Sequence, residues 1–307
     1  MSVEAVGASD RALSPALRLR GGPRGRAEAA RAGNGSRAQR TFWYLVCTAL
    51  AAFALGPVVV IIFNSLKSEV AATNSPLSLP LHPVWSNFVT AWDTGGMGTG
   101  FLNSLLYVSV TVVLVCAIAV VSSYALVRMR VRFSAGVSVY LIVATGLPIQ
   151  AFLVPLFYLW THLHLYDTKA GLVIIYVATA TPFAVLLLRS YLAQVPVEYV
   201  EAARVDGASE YRIARTVVAP LLWPGVIAVA LVTGVGVYND FIFAATFLQS
   251  ASNYPVGLSF YTFQESNGLN YALTAAGGVL VTAPIFVLFF LIQRRFVEGL
   301  SATGLRG

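Results

Sequence analysis

Charge is scarce in this sequence. Asp, Glu, Lys and Arg make up 11% of the 307 residues, against 57% that are apolar. Soluble globular domains carry about 25% charged and about 45–50% apolar residues, so composition excludes a water-soluble enzyme, a nucleic-acid binder and a disordered chain. Lysine occurs only at Lys67, after Leu66, and at Lys169, after Thr168. A phosphate-binding loop requires Gly-Lys followed by Ser or Thr, so ATP hydrolysis by that route is excluded. The two cysteines, Cys47 and Cys116, lie in apolar runs and imply no disulfide framework. Histidine is limited to His82, His162 and His164, and the His162-Leu163-His164 pair lacks the cysteine or carboxylate partners of a zinc motif. No catalytic residue, metal site or cofactor site is expected.

Long apolar runs are abundant. A helix needs about 20 mostly apolar residues to cross a hydrocarbon core of roughly 30 Å. Six stretches qualify, near Phe42–Phe63, Phe101–Leu126, Val137–Trp160, Gly171–Leu192, Leu221–Leu248 and Leu273–Ile292. They are continuous rather than alternating, which favours helices over a barrel. The sequence therefore predicts an all-α integral membrane protein with six transmembrane helices. Arginines cluster in the first forty residues, in the second connection (Arg128, Arg130, Arg132), in the fourth (Arg204, Arg212, Arg215, with Arg189 at its edge) and at the C-terminus (Arg294, Arg295, Arg306). The first, third and fifth connections hold only the two lysines, so eighteen cations face two in an alternating pattern. That is the positive-inside distribution, and it places both termini in the cytoplasm.

Residues 1–40 are rich in Arg, Gly, Ala and Ser and are expected to be disordered. A basic tail that fixes topology and touches anionic lipid is the first reading. An organelle transit peptide is the other, weakened by Glu4, Asp10 and Glu28. Residues 41–307 then form the membrane domain, with Phe42–Phe63 as a retained first span. In the first external connection, Val84–Trp92 predicts a short amphipathic helix whose Trp85, Phe88 and Trp92 serve interfacial anchoring or contact with an external partner.

The fourth connection, residues 193–220, carries Glu198, Glu201, Arg204, Asp206, Glu210, Arg212 and Arg215. Burying these charges at mid-bilayer would cost on the order of 20 kcal/mol, so the stretch lies in water. Pro196 suits a first helical position, and Glu198 and Glu201 complement the helix dipole. Gly207 supplies a residue able to adopt positive φ, and Ser209 can cap a second helix, Glu210–Val218, before Pro220. The prediction is helix, glycine turn, helix. Ala202 and Ala203 leave one face flat, and Val200, Val205 and Ile213 form an apolar rim that nothing else in the chain obviously covers. The loop packs on its own bundle or docks a cytoplasmic partner.

These residues also carry a resemblance. Glu201-Ala202-Ala203, three residues, Gly207, nine residues, then Val217-Val218-Ala219-Pro220 resembles the signature loop of permease subunits of bacterial ATP-binding-cassette importers. Val217 and Ala219 depart from that pattern but stay apolar. Val205-Asp206-Gly207-Ala208-Ser209, Asn103-Ser104-Leu105, Asn239-Asp240-Phe241 and Phe296-Val297-Glu298-Gly299-Leu300 resemble the carbohydrate branch, closest to its six-span maltose-permease-type member. The resemblance implies a type I importer transmembrane domain in the bacterial cell membrane, without an engine of its own. It implies a heterodimer with a second permease, two ATPase subunits that bind the ATP, and an external sugar-binding protein. Glu201, Ala202, Ala203, Asp206 and Gly207 would then belong to the coupling helix that sits in an ATPase.

A substrate path needs polar groups inside the bundle. Asn239, Asp240 and Tyr238 in the fifth span are candidates, with Gln150, Thr179 and Thr181 behind them. Asp240 either bonds a neighbouring helix or lies on the path, since an intramembrane carboxylate rarely faces lipid. Pro148, Pro155, Pro182 and Pro284 predict kinks, and Gly234, Gly236, Gly277 and Gly278 close helix packing. Carbohydrate is the leading cargo, with a polyol or sugar phosphate as the alternative. An ion-coupled secondary transporter would need more intramembrane charge than Asp240 and repeated halves. A membrane-embedded hydrolase would need a histidine within a span. Deleting Met1–Gly35 is expected to leave uptake of labelled solute by cells nearly unchanged; complete loss would give the tail a further function.

Overall fold

The computed structural model describes residues 23–129 and 133–304. They contain helices and no strand. The chain divides into two compact units, Met1–Val58 and Val59–Gly307.

The first unit is built on α1 (Pro23–Ser65). Its apolar part, Gln39–Ser65, is long enough to span a membrane. The helix starts at Pro23, inside the stretch expected to be disordered; residues 1–22 lie outside the described residues. Ala, Arg, Glu and Gln dominate residues 24–40, and these are strong helix formers that a continuous span below them nucleates. Pro23 takes the first helical position, where no N–H is needed.

The second unit runs through α2 (Glu69–Asn74), α3 (Ser86–Thr94), α4 (Met97–Arg128), α5 (Ser134–Gly146), α6 (Leu153–His162) and α7 (Lys169–Ala193). It continues with α8 (Glu198–Val205), α9 (Glu210–Ile213), α10 (Ala219–Leu221), α11 (Trp223–Asn239), α12 (Ile242–Phe247), α13 (Val256–Asn267) and α14 (Tyr271–Gly304). The amphipathic helix expected at Val84–Trp92 is α3. Among the described residues, four helices are continuous and apolar enough to span, and two bent pairs raise the number to as many as six.

Those two pairs correct the expected third and fifth spans. Residues 137–160 are not one helix: Ser134–Gly146 and Ile149–His162 meet at 91°. Pro148 has no N–H to give and forces Leu147 into an extended conformation, φ −79° and ψ 135°. The fifth expected span begins at one break and contains another. Glu210–Leu221 bends by 75° into Trp223–Asn239, and α11 stops at Asn239, with Asp240 extended at φ −67° and ψ 133°. Its 17 residues reach about 25 Å, so Asp240 sits at the end of a helix and not within one. By contrast, α7 and α14 run through Pro182 and Pro284 as continuous helices.

α4 is the central post, packed most extensively on α7 and α11. Val115 and Ala119 meet Ala184, Val185, Leu188 and Val229 in a fully buried layer. Lipid tails are as apolar as leucine, so close packing and not water exclusion holds such a layer. Small residues make that approach possible: a Cβ on Gly225 would meet Tyr191 at 2.8 Å, and one on Gly277 would meet Met97 at 2.9 Å. Gly236 faces open space, so the packing expected there is absent.

The connections sort to two ends. At one end Arg128, at the close of α4, reaches the Leu192 carbonyl in the last turn of α7 at 3.1 Å. At the other, the Asn103 amide donates to the Ser252 and Tyr254 carbonyls at 2.8 and 2.9 Å, and Lys169 donates to Asn103 Oδ1 at 2.6 Å. Lys67, 3% exposed, gives all three of its hydrogens to Asn64 Oδ1 and to the carbonyls of Ser75 and Pro76. Burial pushes its ammonium below the usual lysine value.

Asp167 joins two of these connections. It accepts from the amides of Gln249 and Ser250 at 2.9 Å each, from Ser250 Oγ at 2.5 Å and from Asn253 Nδ2. Burial alone would raise this carboxyl, but the donors outweigh it and hold it at about 2. The folded value lies below the ordinary ~3.9, so the stabilisation is complete above that value and is lost as pH falls through about 2. Asp167→Asn is therefore expected to lower the melting temperature in detergent at pH 7. The gap from wild type should stay flat between pH 5 and 8 and shrink below pH 4; a gap independent of acid would show that the charge is not what holds the two loops.

Candidate functional site: a water-facing helical loop and an intramembrane carboxylate

The fourth connection folds as helix, glycine turn, helix. Glu198 and Glu201 occupy the first turn of α8 and Arg204 its last, each on the favourable side of the dipole. Gly207 has φ +77°, a left-handed conformation that glycine adopts without a Cβ penalty. Ser209 Oγ accepts the Arg212 amide at 3.4 Å and caps α9. The second helix is less regular than expected. α9 ends at Ile213, and Ala214–Val218 form a π turn that leads into α10. The ring of Pro220 would clash with the Thr216 carbonyl in a regular helix, and a widened turn relieves that clash.

The apolar rim is mostly covered, which corrects the sequence reading. Val200 and Ile213 are fully buried with Tyr124, Leu192, Val218 and Leu222, and Ala203 packs at their edge. Only Val205 remains outside, 88% exposed. Glu198, Glu201, Ala202 and Val205 all face outward, and their i, i+3, i+4, i+7 spacing puts them on a single stripe. Asp206 and Gly207 are exposed beside it. The structure thus gathers the five signature residues in one element and turns Ala203 inward.

Polar contacts tie this element to the bundle. Arg204 Nε donates to Glu210 Oε1 at 2.7 Å, and its Nη2 to the Arg128 carbonyl at 3.3 Å. Tyr124 donates its hydroxyl to Glu210 Oε2. The Arg204 guanidinium, followed by the Tyr124 hydroxyl, holds the Glu210 carboxyl below its ordinary value. Sequence reading missed Tyr124 and Arg128. Their i, i+4 spacing at the end of a span, with Arg128 as its first cation, was the available signal.

Asp240 caps α12. Its Oδ2 accepts the Tyr176 hydroxyl at 2.9 Å and the Ala244 amide at 3.2 Å. Asp240 also lines a cavity of ≈ 230 Å³ with Tyr176, Thr179, Phe183, Thr233 and Phe243, among others. Of the predicted path residues, Asp240 and Thr179 share this cavity and the others lie elsewhere, Thr181 lining a different cavity with Pro182. Tyr238 bonds the Val281 carbonyl on α14 at 2.7 Å and faces a separate apolar cavity. Asn239 is exposed, and Gln150 lies exposed in the turn between α5 and α6. Tyr176 and Thr233 were missed because nothing in an apolar run marks which hydroxyls share a face with a distant aspartate.

A polytopic helical bundle with broken spans, a carboxylate at one break and a structured polar loop at one end defines a membrane transport subunit. Residues 117–301 match the family described as "Binding-protein-dependent transport system inner membrane component". The diacetylchitobiose uptake system permease protein NgcG of Streptomyces coelicolor is 30% identical over 249 residues, covering 80% of this chain and 82% of that protein. The melibiose/raffinose/stachyose import permease protein MelC of Bacillus subtilis is 29% identical over 276 residues, covering 88% and 100%. The crystal structure of a bacterial ABC transporter involved in the import of the acidic polysaccharide alginate aligns with a TM-score of 0.74 at 23% identity, covering 85% of this chain and 98% of its counterpart; at that identity it shows the fold. The chain belongs to the binding-protein-dependent transport family and is a permease subunit of an ABC importer.

Removing the Asp240 carboxylate leaves the Tyr176 hydroxyl and the Ala244 amide without partners. Asp240→Ala is expected to destabilise the subunit by about 1–3 kcal/mol, read as a lower melting temperature in detergent, with Asp240→Asn milder. An unchanged melting temperature for Asp240→Ala would remove the anchoring role.

Proposed function

We propose that this subunit forms half of the pathway of a carbohydrate importer in a bacterial inner membrane. Both termini and the α8–α9 loop face the cytoplasm, in keeping with the arginine distribution. The six spans are α1, α4, the α5–α6 pair, α7, α11 and α14. A second, homologous permease completes the pathway, an external binding protein delivers solute, and a pair of ATPase subunits binds and hydrolyses the ATP. This chain needs no cofactor of its own. Relatives named for diacetylchitobiose and for melibiose, raffinose and stachyose support an oligosaccharide as cargo. The cavity beside Asp240, with hydroxyls and aromatic rings, suits sugar hydroxyls and ring faces.

One observation carries the reading. α8 presents Glu198, Glu201, Ala202 and Val205 to solvent while Val200, Ala203 and Ile213 hold its inner side. A short rigid helix with an acidic, small-residue outer face is what a groove in another protein can grip. Glu201, Ala202, Asp206 and Gly207 make up the docking element, and Ala203 seats it.

Proline fixes φ near −65°, so Gly207→Pro is incompatible with the turn at φ +77°. That variant, and Glu201→Lys with Ala202→Trp, are expected to insert in the membrane at wild-type levels yet lose ATP-driven uptake. Uptake of a panel of radiolabelled oligosaccharides by cells, with immunoblots of the membrane fraction, measures both. Wild-type uptake by either variant would overturn the docking role.

A further inference from the structure

Two pivots flank α8. One is the connection from α7 through Pro196, the other the turn at Gly207. A helix of eight residues held only by its ends would swing when pulled. The Val200–Ile213 cluster resists lifting but is apolar and non-directional. Among the described residues, side-chain hydrogen bonds from α8 to other helices occur at its far end, where Arg204 bonds both Glu210 on α9 and the last carbonyl of α4.

Glu210 passes the link onward to Tyr124, one turn back on α4 from Arg128. Tyr124, Glu210, Arg204 and the Arg128 carbonyl therefore close a ring through α4 itself. The Arg128 guanidinium extends the ring to the Leu192 and Val195 carbonyls at the end of α7. The ends of α4, α7 and α8 and the start of α9 meet in that ring.

We propose that this bracket fixes the angle of α8 and is the route by which movement of α8 reaches α4. Arg204, Glu210 and Tyr124 are positioning residues for the coupling step. The inference rests on α8 being the element that the ATPase grips. The Arg204–Glu210 pair has both side chains 40% exposed, and exposed ion pairs add little to stability. Its worth is geometric: a guanidinium bonding through two of its nitrogens fixes direction as well as distance. Loss of the bracket should therefore barely alter folding while severing transmission.

Hydrogen exchange on the assembled importer in nanodiscs, with and without ATP and vanadate, separates these effects. In wild type, ATPase binding should protect residues 198–205, and ATP with vanadate should change exchange at residues 119–129. In Arg204→Met and in Glu210→Gln, residues 198–205 should stay protected and ATP hydrolysis remain within about twofold. The response at 119–129 should fall at least fivefold, and the double variant should be no worse than either single one, as expected for groups that act as a unit. Tyr124→Phe, which removes one oxygen atom, should reproduce the loss if either charge variant fails to assemble. An undiminished response at 119–129 in the variants, or losses that multiply in the double variant, would overturn the bracket alone. Absence of protection at 198–205 in wild type would instead overturn the docking reading beneath it.

Discussion

Each break in a helix inside a bilayer exposes backbone groups to a solvent that cannot hydrogen-bond them. This fold contains such breaks, and polar side chains serve main-chain groups both there and in the connections beyond the spans. Asp240 takes the Ala244 amide where α11 gives way to α12. Asn103 serves two carbonyls of the 249–255 loop, and Ser104 accepts the Val256 amide at 2.9 Å in a fully buried contact. Asp167 takes two successive amides, Lys67 two carbonyls, and Arg128 two more. Away from the water-facing loop, these polar side chains thus sit where the main chain would otherwise go unpaired.

The two ends of the second unit use this rule differently. At the end holding Asp167, Lys169 and Asn103, the partners are mostly main-chain atoms of another loop, and the connections knit into one another. At the arginine-rich end, the α8–α9 loop is seated on an apolar cluster and tied by side chains to the ends of α4 and α7. The first arrangement immobilises loops against each other. The second mounts one exposed helix on the bundle while leaving its outer stripe free, as a transmission element requires.

Much of this was legible in the sequence. Continuous apolar length gave helices, and Gly207 and Ser209 gave the helix–turn–helix loop with its left-handed glycine, although Pro196 precedes the Val197 N-cap of α8 instead of taking the first helical position. The breaks were harder. Pro148 lies at a 91° bend, whereas α7 and α14 run on through Pro182 and Pro284, a difference that hydropathy does not encode. Asp240 was visible as an intramembrane carboxylate, but its partner Tyr176 lies 64 residues away. The covering of Val200 and Ile213 was missed for the same reason, since Tyr124 and Leu192 reach them from two other helices.

The π turn at Ala214–Val218 has one more consequence. Its hydrogen bond, from the Ala219 amide to the Ala214 carbonyl, spans five residues in place of four. In a regular helix Ile213 and Val218 would point to different sides, yet both are fully buried, in one cluster with Leu222. The wide turn acts as a phase shifter: it inserts a residue into the winding so that the loop's hydrophobic contacts and those of the span beyond come into alignment. The nine-residue interval between Gly207 and Val217 is therefore a gauge length, set by the extra residue that the winding has to absorb.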